Sequence, residues 1–192
     1  MSAIRVVGID LSLTSTGIAR LAVDAEGTPH TYTTTVGRPG SEGETLDQRS
    51  MRLSLLAADV TDEVPYDTDL VLIEGPAYAA QFGHPHDRSG AWWLVVAGLS
   101  SRPIRPVVVE VVPQLVKMWA TGRGNAAKPA VTQRVIEHWG QHFTIPAGPG
   151  RADVADAISL VTFGAAHLGH HLATLGPDHL RALTRMTWPA VP

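Results

Sequence analysis

The chain has 192 residues, 44% of them hydrophobic and 17% charged, which suits one domain around one core and excludes a disordered chain. It has no cysteine, so disulfides and thiolate metal sites are excluded and any metal must be held by oxygen or imidazole. The formal net charge of -3 is unevenly spread: residues 24–74 hold eleven acids against three arginines, whereas residues 102–134 hold Arg102, Arg105, Lys117, Arg123, Lys128 and Arg134 against Glu110 alone. One face can therefore be basic while the whole is acidic.

Arg5 to Asp10 is an apolar strand ending in an acid. Gly17–Val23 and Thr31–Val36 are two further strands joined by the turn-rich segment Asp24–Pro29, so the chain opens as an antiparallel meander. After a Gly-rich loop, Leu46, Leu53, Leu56, Ala57, Val60 and Val64 form an apolar stripe at helical spacing. Leu70-Val71-Leu72-Ile73 is a short buried strand, again ending in an acid, Glu74. Residues 89–101 predict an apolar helix, Val107–Val112 a β-branched strand, Pro113–Thr121 a helix stopped by Gly122, and Pro129–Trp139 a helix with Pro at a tolerated early position. Residues 151–175 predict a long helix closed by Gly176-Pro177, and residues 176–192 a weakly patterned tail. A meander followed by alternating helices and strands implies an α/β domain over residues 1–175, with a mixed sheet and helices packed on it. No apolar run reaches the roughly 20 residues a membrane helix needs, and the N-terminal segment has no signal-peptide pattern.

Four carboxylates stand out. An acid at the end of an apolar strand is costly when buried and unpaired, and here two separate strands end so, at Asp10 and Glu74. Neighbouring strands would bring both side chains to one sheet edge, an arrangement of like charges that calls for a cation between them. The alternative for each is an acid turned into solvent or capping the next turn. Asp153 and Asp156 share one helical face through their i, i+3 spacing, in first turns where the helix dipole favours anions. N-terminal capping explains Asp153 equally well but not Asp156. Oxygen ligands of this kind suit Mg²⁺ or Mn²⁺, and two such ions about 3.5–4 Å apart can clamp a phosphodiester.

Gly8-Ile9-Asp10-Leu11-Ser12-Leu13-Thr14-Ser15-Thr16-Gly17, Ile73-Glu74 and Ala152-Asp153-Val154-Ala155-Asp156-Ala157 resemble, in order and spacing, the three acidic motifs of the RuvC family of Holliday-junction resolvases. Val116-Lys117 and the segment from Gly122 to Val131 resemble the stretch that carries that family's basic active-site lysines. The resemblance runs from about residue 5 to residue 165. It implies a ribonuclease H-like fold with a five-stranded mixed sheet, a homodimer acting on branched DNA in the cytoplasm of a bacterial or phage-infected cell, and symmetric nicking of four-way junctions. It implies that Asp10, Glu74, Asp153 and Asp156 are metal ligands for two Mg²⁺ or Mn²⁺ ions, and that Lys128 is a catalytic residue that contacts the phosphate or stabilises charge there, with Lys117 a second candidate for the DNA contact; the alternative for Lys128 is a solvated lysine before a helix. Arg123, in the flexible basic loop Thr121–Asn125, is a further candidate DNA contact, or part of a simple helix-to-helix turn.

The chain departs from the family in two places. Leu11-Ser12 replaces the usual Pro-Gly after the first aspartate. The family's junction-opening aromatic is displaced by Gly75-Pro76-Ala77, which leaves Tyr78 and Phe82 as the nearest rings able to stack on a base. A phage-type variant that also cuts forks and flaps would show such a shift. Trp92 and Trp93, adjacent on one helix, point in different directions, so one can be core and the other exposed; the resemblance makes the helix a dimer-interface candidate, with plain core packing as the alternative. His167, His170 and His171 have metal-compatible helical spacing, which chance also produces among nine histidines. Two other functional classes share features with the chain: an actin- or sugar-kinase-like ATP-binding protein, through the first-strand motif, and a junction-binding protein without catalysis.

Overall fold

A computed structural model describes residues 3–76 and 84–191. Its elements in chain order are β1 (Ile4–Asp10), β2 (Thr16–Val23), β3 (Pro29–Val36), α1 (Leu46–Asp62), β4 (Leu70–Glu74), α2 (Pro85–Ser100), β5 (Val107–Val111), α3 (Pro113–Thr121), α4 (Lys128–Trp139), α5 (Arg151–His167) and α6 (Pro177–Arg185). The strands form one sheet of order β3-β2-β1-β4-β5. β1, β2 and β3 are an antiparallel meander, and β4 and β5 run parallel to β1. This is the α/β mixed sheet that the order of elements predicts.

The side-chain period of two on a strand decides what lies on each face. Ile4, Val6, Leu70, Leu72, Val109 and Val111 face α3, α4, α5 and α6, in a core with Trp119, Trp139 and Phe163. Val7, Ile9, Val71 and Ile73 face α1 and α2, in a second core with Leu56, Val60, Trp92 and Val95. By the same alternation Asp10 and Glu74 belong to the α5 face. β1 and β4 are paired in parallel up to Ile9 opposite Ile73, so the two acids follow at adjacent strand ends.

α5 is the central helix, with every residue from Ala157 to Ala166 buried. It reaches the sheet closely because glycines lie beneath it. A Cβ on Gly8 would stand 2.3 Å from the Ala157 carbonyl oxygen, and one on Gly17 would stand 2.1 Å from that of Asp153. These are backbone-to-backbone contacts that no side chain can enter.

α5 ends at His167, eight residues before the predicted end. Gly169 turns the chain at φ +83, and the Gly169 and His170 amides donate back to the carbonyls of Ala166 and Ala165. His170 and His171 therefore leave the helix, and the spacing that suggested a histidine metal site does not exist on it. His167 stacks on Trp188 instead, with ring centroids 4.0 Å apart. The segment after Gly176 contains a helix, α6, whose Ala182 is fully buried and which packs on α3. Of the paired tryptophans, Trp92 is buried and Trp93 is exposed. No helix among the described residues is long and apolar enough to cross a membrane.

Candidate active site

The C-terminal ends of β1 and β4 open into a cavity of about 370 Å³ whose lining includes Asp10, Glu74, Asp153, Asp156, Lys117 and Lys128. All four acids and both lysines singled out in the sequence thus meet in one place. They arrive by four routes. Asp10 and Glu74 are carried by the parallel pairing of their strands. Asp153 and Asp156 come from the first turns of α5, Lys128 is the first residue of α4, and Lys117 projects from α3.

Asp153 does not cap its helix. The N-cap of α5 is Gly150, in the left-handed region at φ 80, and no side chain caps that end. The Asp153 carboxylate instead accepts from the Ser15 hydroxyl at 2.7 Å through Oδ2 and from the Lys128 ammonium at 2.9 Å through Oδ1. Lys128 also stands 3.5 Å from Asp156 Oδ2. The capping alternative for Asp153 is thereby removed.

The acids outnumber the cations that answer them. Burial holds the Asp10 carboxyl well above the usual carboxylate range; the charges of Glu74, Asp156 and Asp153 add to this, and Lys128 opposes it. Burial, followed by Asp156, raises Glu74 to about 7 against the pull of Lys128 and Lys117. Burial, with a contribution from Asp153, raises Asp156 to about 6 against the same two lysines. Burial alone would lower the pKa of Lys128, but its bond to Asp153 and the charges of Asp10, Asp156 and Asp153 raise it overall. The Lys128 ammonium lies close to two of these acids, Asp153 at 2.9 Å and Asp156 at 3.5 Å. Among the described residues, no group of three or more His, Asp or Glu side chains is arranged to hold a metal ion as it stands. The donor set nevertheless fits a hard divalent cation: all donors are oxygens, carboxylates predominate, and their charge exceeds what the lysines supply.

Several residues contribute that the sequence did not single out. Arg88 of α2 lines the cavity from the face opposite α4. The Trp92 indole donates to the Glu74 carbonyl at 3.0 Å and anchors the end of β4. Ser15 holds Asp153 as described. A basic residue one turn into the helix after the second acidic motif was a usable signal for Arg88; nothing in the local sequence marks Ser15 as facing a residue 138 positions away.

The basic stretch 102–134 does not act as one surface. Arg102 is buried, donates to the carbonyls of Thr61 and Val64 at 2.6 and 2.9 Å, and lies over the Tyr66 ring. Arg134 pairs with Glu137 on its own helix. Arg123 is exposed on the α3–α4 loop, outside the cavity lining. Tyr78 and Phe82 lie outside the described residues.

No family model matches the chain, and no curated protein matches it. Among solved structures it is similar to RuvC of Thermus thermophilus, with 22% identity and a TM-score of 0.63 over 87% of this chain and 98% of that one. The same protein in complex with a Holliday junction substrate matches at 21% identity and a TM-score of 0.59, over 87% and 97% of the two chains. The yeast mitochondrial Holliday junction resolvase Ydc2 matches at 12% identity and a TM-score of 0.58, over 95% of this chain and 81% of that one. The chain has the RuvC-like, ribonuclease H-like fold.

Proposed function

We propose that the chain is a divalent-metal-dependent endonuclease that cuts Holliday junctions, and other branched DNA besides, by hydrolysing backbone phosphodiesters. The observation that carries this reading is the convergence of Asp10, Glu74, Asp153 and Asp156 with Lys128 in one cavity of a RuvC-like fold, where burial and mutual repulsion hold the Asp10 and Glu74 carboxyls above their usual range. Two of the solved structures with this fold are named as resolvases or hold a junction, which supports the choice of substrate.

In this reading the four acids would hold two Mg²⁺ or Mn²⁺ ions. Bound there, such ions supply a nucleophilic water at neutral pH and neutralise charge on the phosphate. The chain's own groups do the rest. Burial of Asp10 and Glu74 at paired strand ends keeps the reacting phosphate in a low-dielectric wall, where a fixed charge acts strongly. Lys128, already among the acids, is placed to meet an incoming phosphate oxygen and to stabilise charge as the bond breaks. Lys117 on α3 guides the same strand, and exposed Arg123 contacts the flanking backbone. The active form is a homodimer, because two symmetric cuts need two such cavities, and the protein works in the cytoplasm.

The decisive experiment is incubation with a synthetic four-way junction, a flap and a replication fork, with and without Mg²⁺. Metal-dependent nicking of the junction is expected. Junction binding without cutting under any divalent ion would overturn the nuclease reading in favour of a binding protein.

A further inference from the structure

We propose that Ser15 is a positioning residue that fixes the Asp153 carboxylate so that one of its oxygens faces the cavity. The inference rests on the reading of Asp153 as a ligand for a divalent cation, and it gives a role to a residue of the first motif that is not itself an acid.

The geometry is specific. The Ser15 hydroxyl donates to Asp153 Oδ2 at 2.7 Å, within the range of a short bond to a charged acceptor. Ser15 is not part of the cavity lining, whereas Asp153 is. The bond to Ser15 thus engages one oxygen and leaves Oδ1 to Lys128. No capping bond holds the Asp153 side chain, so without Ser15 only an ammonium on a flexible stem would restrain it.

The segment that presents Ser15 is itself held on three sides. Buried Thr16 accepts from the Ser12 amide at 3.1 Å and donates to the Ser12 carbonyl at 2.6 Å, closing the β1–β2 turn. The Arg38 amide donates to the Leu13 carbonyl at 2.9 Å, tying the turn to the end of β3. Gly17 abuts the Asp153 carbonyl, and a Cβ on Gly150 would lie 3.6 Å from Ser15 Oγ. The hydroxyl is therefore set against the first turn of α5 by backbone contacts. Partners that orient a metal-holding side chain in this way are typically worth about 10–100-fold in metal affinity.

The test is Mn²⁺ binding to the full chain without DNA, followed by calorimetry, together with the Mg²⁺ dependence of junction cutting. Ser15→Ala should weaken Mn²⁺ binding about 10-fold or more and raise the half-saturating Mg²⁺ concentration by a similar factor, with an unchanged Tm. The maximal rate at saturating Mg²⁺ should fall far less. Ser15→Thr restores the hydroxyl at a position whose φ is not positive, and it should recover binding to within about threefold. Asp153→Asn separates the two levels of the argument. If it weakens Mn²⁺ binding and Ser15→Ala does not, the positioning role is wrong and the ligand reading stands. If Asp153→Asn binds Mn²⁺ like the wild type, the ligand reading of Asp153 fails and the role of Ser15 fails with it.

Discussion

Two charged clusters of this molecule are built on opposite principles. In the cluster where α1 meets the start of α2, acids and arginines are matched. Arg52 donates to both oxygens of Glu44 at 3.0 and 3.1 Å and reaches Asp87 at 3.4 Å, while Arg49 stands 3.6 Å from Asp87 and Arg38 grips Asp59 at 2.6 and 3.1 Å. The bond to Arg52 lowers the pKa of Glu44, and the same bond raises that of Arg52. At the ends of β1 and β4 the acids crowd one another, and three of them are pushed upward in pKa. Matched charge of the first kind holds elements together. Unmatched charge of the second kind costs stability, and the cost is explained if something outside the chain supplies the missing cation.

The sharpest way to break this contrast is to remove one acid from each side. Asp10→Asn should reduce Mg²⁺-dependent junction cutting by roughly 10³-fold, from the several kcal/mol a bound cation contributes, while gel-shift binding of the junction persists. Cutting at the wild-type rate would remove Asp10 from the site. Lys128→Ala should lower the maximal cutting rate about 10²-fold through loss of a charge at the phosphate, and it should also tighten Mn²⁺ binding, because the ammonium no longer competes for Asp153 and Asp156. Weaker Mn²⁺ binding by that variant would assign Lys128 a supporting role instead.

The matched cluster should answer differently. Asp87 is almost wholly buried, and Asp87→Ala leaves two arginines without it. A loss of about 2–3 kcal/mol is expected, seen as a fall in Tm of roughly 4–12 °C, with the Mg²⁺ half-saturation of cutting unchanged.

The smallest effect is in the pH dependence of stability. Glu74, at about 7, and Asp156, at about 6, lie above their unfolded values, so the folded chain binds more protons than the unfolded chain between roughly pH 4 and 7. Their contribution to stability is full below pH 4 and is lost as pH rises through 6 to 7. In EDTA, therefore, Tm should decline by a few degrees from pH 5.5 to pH 8, a slope that Asp10→Asn flattens and saturating Mg²⁺ removes. A rise in Tm over that interval, equal in both proteins, would contradict the crowding of the acids.

The legibility of the molecule in its sequence follows the same division. Strands ending in acids are visible because a short, continuous apolar run followed by Asp10 or Glu74 has few explanations, and the register of β1 on β4 then does what parallel pairing requires. The aspartate pair on α5 was visible from its spacing, but its partners were not. Ser15 is separated from Asp153 by 138 positions, and only the folded chain sets them together. Counting charges misled in one respect: Arg102 adds to a basic run in sequence, yet it is spent on carbonyls inside the protein. The end of α5 was misplaced because apolar and histidine residues continue the helical pattern past Gly169, where the backbone turns away.

The contact of Gly17 with the Asp153 carbonyl has a wider consequence. It acts as a mechanical stop: backbone rests on backbone, so the distance between the strand-end acids and the helical acids is gauged by atoms that every sequence shares. Side chains deeper in the core can be exchanged and repacked over evolutionary time without altering that gauge, whereas a single methyl group added at residue 17 would move the helix and open the spacing of the whole cavity.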